Sequence, residues 1–531
     1  MNVFVQCLYF SFVCVCAGYL KDDRFMADVN LEQYYIIEEN ALSNADILLR
    51  EDYFAADEEE DQKEHLRHAP NLTNFKSVVD ETKLVHSLAG PNLDSFLANP
   101  VNFYHLIRRL DNGWREGLDI LLQTKPCRQW NLRSISARLR YLKNSLPGER
   151  ELIRIVKYIA SLQTLYKLKA EDIADGKVGD VVSVKPLTLE EQFQIIQVLH
   201  DLEYTLISLE WLEQLYKRLM NLGVTQRDEL PFAVTDVLNL MASENYQLNN
   251  FEKAKTFTEK ILELDPDNAL AKNNLIFFQQ KLDSLKDSDD KVKNKKSSSR
   301  QLSASERLCA RRSTKKLLRK YCKFLQYGFL FYKVEIIRKK PYIVIFHDVI
   351  RNETITGLKT FAHETLTDNA WVLGERYKAP TFNVEVKTEM LLRNRARRHV
   401  KRLIRYLDSL MLADDRKPIL IDNLQLMNIG LEGTDIIRHR IELRLHSMFV
   451  DGKMTSVGGY FVFLNQVKTG GEVIFPQLGI KIHPTVGSVL FYEITKSTYH
   501  SFCPVVGSTL WVALRPVHES KDFCVDEDEW L

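Results

Sequence analysis

What the sequence lacks first is net charge. Its 72 Lys and Arg stand against 71 Asp and Glu for a formal +1, so no global field draws the chain to nucleic acid or to an anionic membrane surface. It lacks a second long apolar run, since beyond the N-terminus no stretch is long and apolar enough to span a bilayer. It lacks a KDEL-type retrieval signal, because the chain ends Asp-Glu-Asp-Glu-Trp-Leu, and residence in the endoplasmic reticulum would need another tether. What is there is an ordinary globular balance, 45% hydrophobic and 27% charged over 531 residues, room for two to four domains.

Residues 1–17 hold an uninterrupted apolar run ending Val15-Cys16-Ala17 and then turn polar, which reads as a secretory signal peptide. The alternative, a single membrane anchor, is poorly matched by a run this short. Cys7, Cys14 and Cys16 leave with it, and Cys127, Cys309, Cys322, Cys503 and Cys524 remain. In an oxidising compartment Cys309 with Cys322 and Cys503 with Cys524 are plausible local bridges, although the sequence alone leaves the pairing open. Sequons at Asn71 and Asn352 fit a glycosylated secretory protein.

From 25 to 170 the periodicity is helical. Tyr34, Ile37, Ala41, Ala45 and Leu48 form an apolar stripe that either pairs with another helix or packs on its own domain. Residues 187–282 read as paired helices of tetratricopeptide type: Ala254 sits where two helices approach closely, Asp265-Pro266 ends one helix and opens the next, and a weaker copy contains Trp211 and Leu212. Such pairs form grooves for extended peptides, or serve as plain helical hairpins. A charged, Ser-rich linker at 283–305 follows, with little to bury. From 306 to 531 short β-branched and aromatic runs alternate with Gly and Pro turns, as in a double-sheet jelly roll. The fold class is therefore α+β and multidomain. The basic helix at 390–410 reads as a solvated face over a Leu/Val/Ile stripe rather than a nucleic-acid contact.

The tracts Asn99–Leu110 (NPVNFYHLIRRL), the repeat ending ILELDP, 469–494 (TGGEVIFPQLGIKIHPTVGSVLFYEI) and 497–512 (STYHSFCPVVGSTLWV) resemble the collagen prolyl 4-hydroxylase α subunit family. The order of parts resembles it too: a helical dimerisation region, a peptide-binding helical domain, a linker, and a dioxygenase jelly roll. The resemblance implies procollagen-proline 4-hydroxylation with Fe(II), 2-oxoglutarate and ascorbate. It implies protein disulfide isomerase as β subunit, a hetero-oligomer or dimer through the N-terminal helices, a proline-rich or collagen-like peptide as ligand, and the endoplasmic reticulum lumen as location. It also implies disulfides 309–322 and 503–524. Secretion from the cell is the alternative destination.

Active members carry a His-x-Asp pair on one strand, a distal His, and a Lys ten residues beyond it. Strand positions i and i+2 share a face, so the pair converges on one iron. Aligned on Asn428-x-Gly430, that pair falls on Arg438 and Arg440, the distal His is His500, and Leu510 occupies the Lys position. A guanidinium has no lone pair for a metal, and two of them repel a divalent cation. A one-residue slip offers His439, whose same-face partner is Ile441; only a bulge brings Glu442 round. Ile429, Ser456 and Gln466 are further departures from the family pattern, and of the groove tyrosine positions Tyr246 falls on one and Tyr204 near one, while His200, Leu206, Leu240 and Ser243 stand at others. The expectation is a family member that no longer hydroxylates and acts as a binding or assembly subunit. The alternatives are an active dioxygenase with non-standard ligands and a secreted peptide-binding module.

Overall fold

The computed structural model describes residues 28–49, 70–90, 93–123, 130–287, 302–311, 321–327, 329–360, 381–384, 396–413, 420–421, 424–429 and 454–520. Arg438, His439, Arg440, Glu442, Cys127 and Cys524 lie outside them. The chain forms two compact units, one of residues 37–303 and one of 304–531 together with the first 36.

The first unit is helical. Its principal helices are α1 (Asp28–Leu49, from residue 37 on), α2 (Pro70–Ala89), α3 (Pro100–Arg108), α4 (Arg115–Gln123), α5 (Trp130–Ser145), α6 (Glu149–Tyr166), α7 (Leu189–Asp201), α8 (Thr205–Met220), α9 (Val234–Gln247), α10 (Phe251–Leu264) and α11 (Ala269–Asp287). Of the stripe on α1, Ala41 and Ala45 are fully buried within the unit, which is packing on its own domain. Helices α7 with α8 and α9 with α10 form successive hairpins, and α11 packs on α10. Ala254 is fully buried where α9 meets α10, as its lack of a bulky side chain allows, and Trp211 is buried with its indole N–H donating to Gln163 at 2.9 Å. Thr188 caps α7 by accepting from the Glu191 N–H while the Glu191 carboxylate accepts from the Thr188 N–H, a reciprocal pair that fixes where the helix begins.

The second unit is a jelly roll. Its strands are β1 (Tyr321–Tyr327), β2 (Leu330–Lys339), β3 (Tyr342–His347), β4 (Thr381–Val384), β5 (Leu420–Ile421), β6 (Leu424–Ile429), β7 (Met454–Phe463), β8 (Val473–Phe475), β9 (Ile480–Ile482), β10 (Val489–Glu493), β11 (Ser501–Phe502) and β12 (Leu510–Ser520). The larger sheet runs β1-β2-β3-β10-β7-β12-β6-β4, with β5 also on β12, and the smaller runs β9-β8-β11. Every named pairing is antiparallel. Alternation decides which face each residue serves. Along β12, Leu510, Val512 and Leu514 enter the core that also holds Val473, Phe475 and Phe502 of the smaller sheet, while Trp511 and Ala513 enter a second core on the other face. That second core is closed by α13 (Ala396–Ala413), whose Val400, Leu403, Leu407 and Leu410 are buried. The basic helix is thus a sheet cover with a solvated basic side.

Gly487 is required where it stands. Its φ is +74°, its carbonyl accepts from the N–H groups of Val349 and Ile350, and an added Cβ would lie 2.7 Å from the Ile350 carbonyl oxygen. Gly487→Ala is expected to cost about 2 kcal/mol in chemical denaturation, the sum of the left-handed backbone penalty and the clash.

The disulfide pairing corrects the expectation. Cys309 bonds Cys503, across 194 residues with Cα atoms 5.5 Å apart, and Cys322 is an exposed free thiol. The reason is placement: helix α12 (Ala304–Ala310) lies on β8 and β9 of the smaller sheet, where Lys481 Nζ donates to the carbonyls of Cys309 and Arg311. Cys322 sits on β1, the far edge of the other sheet. Asn71 lies in the first turn of α2, and Asn352 is exposed. Among the described residues no helix is long and apolar enough to cross a membrane.

Candidate functional site

Two places hold the functional positions. The first is the core between the two sheets of the jelly roll. His500 reaches it from a short turn at Lys496–Thr498 that is locked by its own hydroxyl: Thr498 Oγ1 accepts from the Thr495 N–H and donates to the Glu493 carbonyl. The imidazole lies among aromatic rings, with centroids 4.7 Å from Tyr492, 5.1 Å from Phe461 and 5.8 Å from Phe475. Burial pushes its pKa down to about 4, against a smaller upward pull from the Thr498 carbonyl, so the ring is neutral at pH 7. Nδ1 is 3.1 Å from that carbonyl and so carries the proton, which leaves the lone pair on Nε2, a buried atom with no hydrogen-bond partner among the described residues. The same burial pushes the Tyr492 hydroxyl up.

Leu510 opens β12 and is fully buried in the same core. Its Cδ2 would be 3.2 Å from a Cβ added at Gly471, beside Val467 and Val505. Gly471 has φ +70°, and its lack of a side chain is what lets Leu510 fill this corner. The donor set implied for Fe(II) and 2-oxoglutarate is thereby only partly met. His500 fits, with the tautomer a metal ligand needs fixed by the Thr498 carbonyl. Leu510 does not fit, since an alkyl side chain in an apolar corner has no charge for a carboxylate. Arg438 and Arg440, outside the described residues, have guanidinium groups with no lone pair to give. Among the described residues no group of three His, Cys, Asp or Glu side chains is placed to hold a metal.

The second place is a cleft of about 1000 Å³ in the helical unit, between α6 with the π-helical segment Arg109–Trp114 on one side and α7 with the start of α9 on the other. Phe193 and Phe232 stack in its lining, centroids 4.2 Å apart and nearly parallel at 11°. His200 and Leu240, two of the altered groove positions, line it; Tyr204 and Tyr246 do not. Tyr204 is the N-cap residue of α8, and Tyr246 packs on Phe251, Phe277 and Phe278. The aromatic pair and the acidic residues at the helix ends were not legible as a site: each reads singly as core or as a helix-end residue, and only the tertiary fold brings them together.

The NPVNFYHLIRRL tract, whose Tyr104 lines the cleft, builds a polar network of its own. Asn99 caps α3 by accepting from the Val101 N–H and donates to the Gly176 carbonyl. Arg108 holds Glu190 and Glu191, whose carboxylate also meets His105 at 3.2 Å. Arg109 grips the fully buried Glu38 of α1 through two 2.8 Å hydrogen bonds, and His86 reaches the same carboxylate at 2.9 Å. Burial alone would raise the Glu38 pKa, but the Arg109 charge and the bonds from His86 and Arg109 outweigh it and hold it below the ordinary value. The tract is therefore scaffold, a set of buried polar groups that must be mutually satisfied.

Residues 56–180 match the family model described as prolyl 4-hydroxylase alpha-subunit, N-terminal region. Curated relatives extend the likeness over most of the chain. The rat prolyl 4-hydroxylase subunit alpha-1 is 24% identical over 485 residues, 84% of this chain and 88% of that one. The human subunit alpha-1 is 24% identical over 488 residues with the same coverage, 84% and 88%. The Caenorhabditis elegans subunit alpha-2 is 22% identical over 534 residues, 96% of this chain and 93% of that one.

Proposed function

Because the chain belongs to the collagen prolyl 4-hydroxylase α-subunit family, we propose that it is an α subunit that has kept the family's scaffold and lost its oxygen chemistry, acting as a binding and assembly subunit in the secretory pathway. The observation that carries this is Leu510. Its side chain fills the corner where the family's 2-oxoglutarate lysine belongs with methyl groups packed on valines, and a carboxylate entering it would be stripped of water with nothing to neutralise it. Arg438 and Arg440 point the same way, since they put two fixed positive charges where two metal donors belong.

The proposal puts the protein in the endoplasmic reticulum lumen with protein disulfide isomerase as β subunit, as the family resemblance implies. The N-terminal helices would supply the subunit contacts, and the helical hairpins would receive a peptide.

An active enzyme with non-standard ligands is the second reading. The free Nε2 lone pair of His500, oriented as a metal ligand would be, is what favours it. Co-expression of the full chain with protein disulfide isomerase, followed by gel filtration and a 2-oxoglutarate turnover assay on a (Pro-Pro-Gly) peptide, separates the readings. The proposal expects co-elution and no succinate above a no-protein control. Succinate release coupled to peptide hydroxylation would establish the second reading, and chain secreted alone would leave a free peptide-binding module instead.

A further inference from the structure

The cleft of the helical unit carries charge of one sign. Asp111, Glu149, Asp201 and Asp236 line it, and no Lys or Arg does. Their engagements differ. Asp111 faces Arg115, its neighbour four residues on, at 3.3 Å. Asp236 spends one oxygen on the Ala233 N–H at the start of α9. Glu149, in the first turn of α6, and Asp201, the last residue of α7, hold no hydrogen-bond or ion-pair partner among the described residues. The His200 ring, in the lining, is bonded at 3.0 Å to Glu244, a fully buried carboxylate whose second oxygen has no partner among the described residues.

We infer that this cleft takes an extended peptide segment bearing lysine or arginine. This rests on the reading of the helical half as peptide-binding and names what that half selects. Carboxylates on opposite walls of a concavity act together, because the low-dielectric walls focus their field into the space between. The stacked Phe193–Phe232 pair gives the aliphatic stem of a long basic side chain an apolar floor, and an aromatic face favours a cation above it. Gln197 and Asn239, with amide side chains on the same walls, can pair with peptide backbone. A proline-ring preference needs stacked tyrosines, and the one tyrosine in the lining, Tyr104, donates its hydroxyl to Gln194 at 3.3 Å and is almost fully buried. Aromatic selection has thus given way to electrostatic selection.

The test is fluorescence anisotropy on the full chain with labelled single-stranded 15-residue peptides of the repeats Pro-Pro-Gly, Pro-Arg-Gly and Pro-Glu-Gly, at low and at physiological salt. The Arg peptide is expected to bind about tenfold tighter than either other and to weaken as salt rises. The double variant Glu149→Gln/Asp201→Asn, whose fold is checked by circular dichroism, is expected to lose about tenfold for the Arg peptide and to leave the Pro peptide unchanged. Binding of the Pro peptide with no Arg preference overturns the inference while the peptide-binding reading stands. Arg-peptide affinity that the double variant does not change also overturns it, since the cations then sit elsewhere. If none of the three peptides binds, the peptide-binding reading itself fails, and the inference with it.

Discussion

Arg109→Ala is expected to destabilise the helical unit by roughly 3–5 kcal/mol, the cost of leaving a buried carboxylate without its partner. Glu38 is wholly inaccessible, and Arg109 supplies two of the three hydrogen bonds it accepts at 2.8–2.9 Å. What the variant loses is less the Coulomb attraction than the means of keeping Glu38 ionised away from water. The double variant Glu38→Leu/Arg109→Met should therefore recover most of the loss, as apolar replacements of buried ion pairs do. The pH dependence has a definite sign. The folded-state pKa of Glu38 is depressed below 4.5, so its contribution is complete above that value and is lost as pH falls through the folded pKa. Arg109→Ala should lack this acid-side loss. Urea denaturation followed by far-ultraviolet circular dichroism, at pH 7 and at acid pH, measures both. A loss under about 1 kcal/mol would mean that water reaches Glu38 and that α1 is not locked to the unit.

Leu510→Lys, the residue the family carries at this place, is expected to cost roughly 4–5 kcal/mol at pH 7. Bringing a lysine from its ordinary pKa near 10.4 to neutrality at pH 7 costs about 1.4 kcal/mol for each of some three and a half pH units. Among the described residues the surroundings are Val467, Val505 and the apolar core between the sheets, which offer no carboxylate. The folded pKa would lie below the unfolded one, so the unfolded state holds the proton more tightly and the variant should regain stability as pH rises toward 10. Denaturation midpoints at pH 7 and 9.5 test this. If the variant is as stable as the wild type at pH 7, a polar pocket for a cation persists beside His500, and the argument from Leu510 fails.

How much of this was legible in the sequence depends on distance along the chain. The alternation Leu510, Val512, Leu514 against Trp511 and Ala513 is local, so the jelly-roll strands and the inward aim of Leu510 follow from period two. Ala254 at a helix crossing and the Leu/Val stripe of α13 are equally local and were readable. The Cys309–Cys503 bond was not, because it depends on where a seven-residue helix settles on a sheet assembled from strands far later in the chain. The Glu38–Arg109 pair joins residues 71 apart, and nothing near either one marks it. The cleft is the extreme case: Glu149 and Asp236 sit in the first turns of separate helices, where a carboxylate is an ordinary favourable partner for the helix end, Asp201 closes a third helix, and nothing local joins them. His500 stands at a ligand position only through the family resemblance, and its tautomer and the Nε2 left without a partner among the described residues belong to tertiary structure.

Iron content, measured on the purified full chain after anaerobic loading with Fe(II) and removal of the excess, tests the central claim most directly. The wild type is expected to retain well under about 0.1 iron per chain, and the triple variant Arg438→His/Arg440→Asp/Leu510→Lys to approach about one, since on the proposed reading lone pairs and a cation are what the barrel lacks. Stoichiometric iron in the wild type, with succinate released from 2-oxoglutarate, would contradict the account.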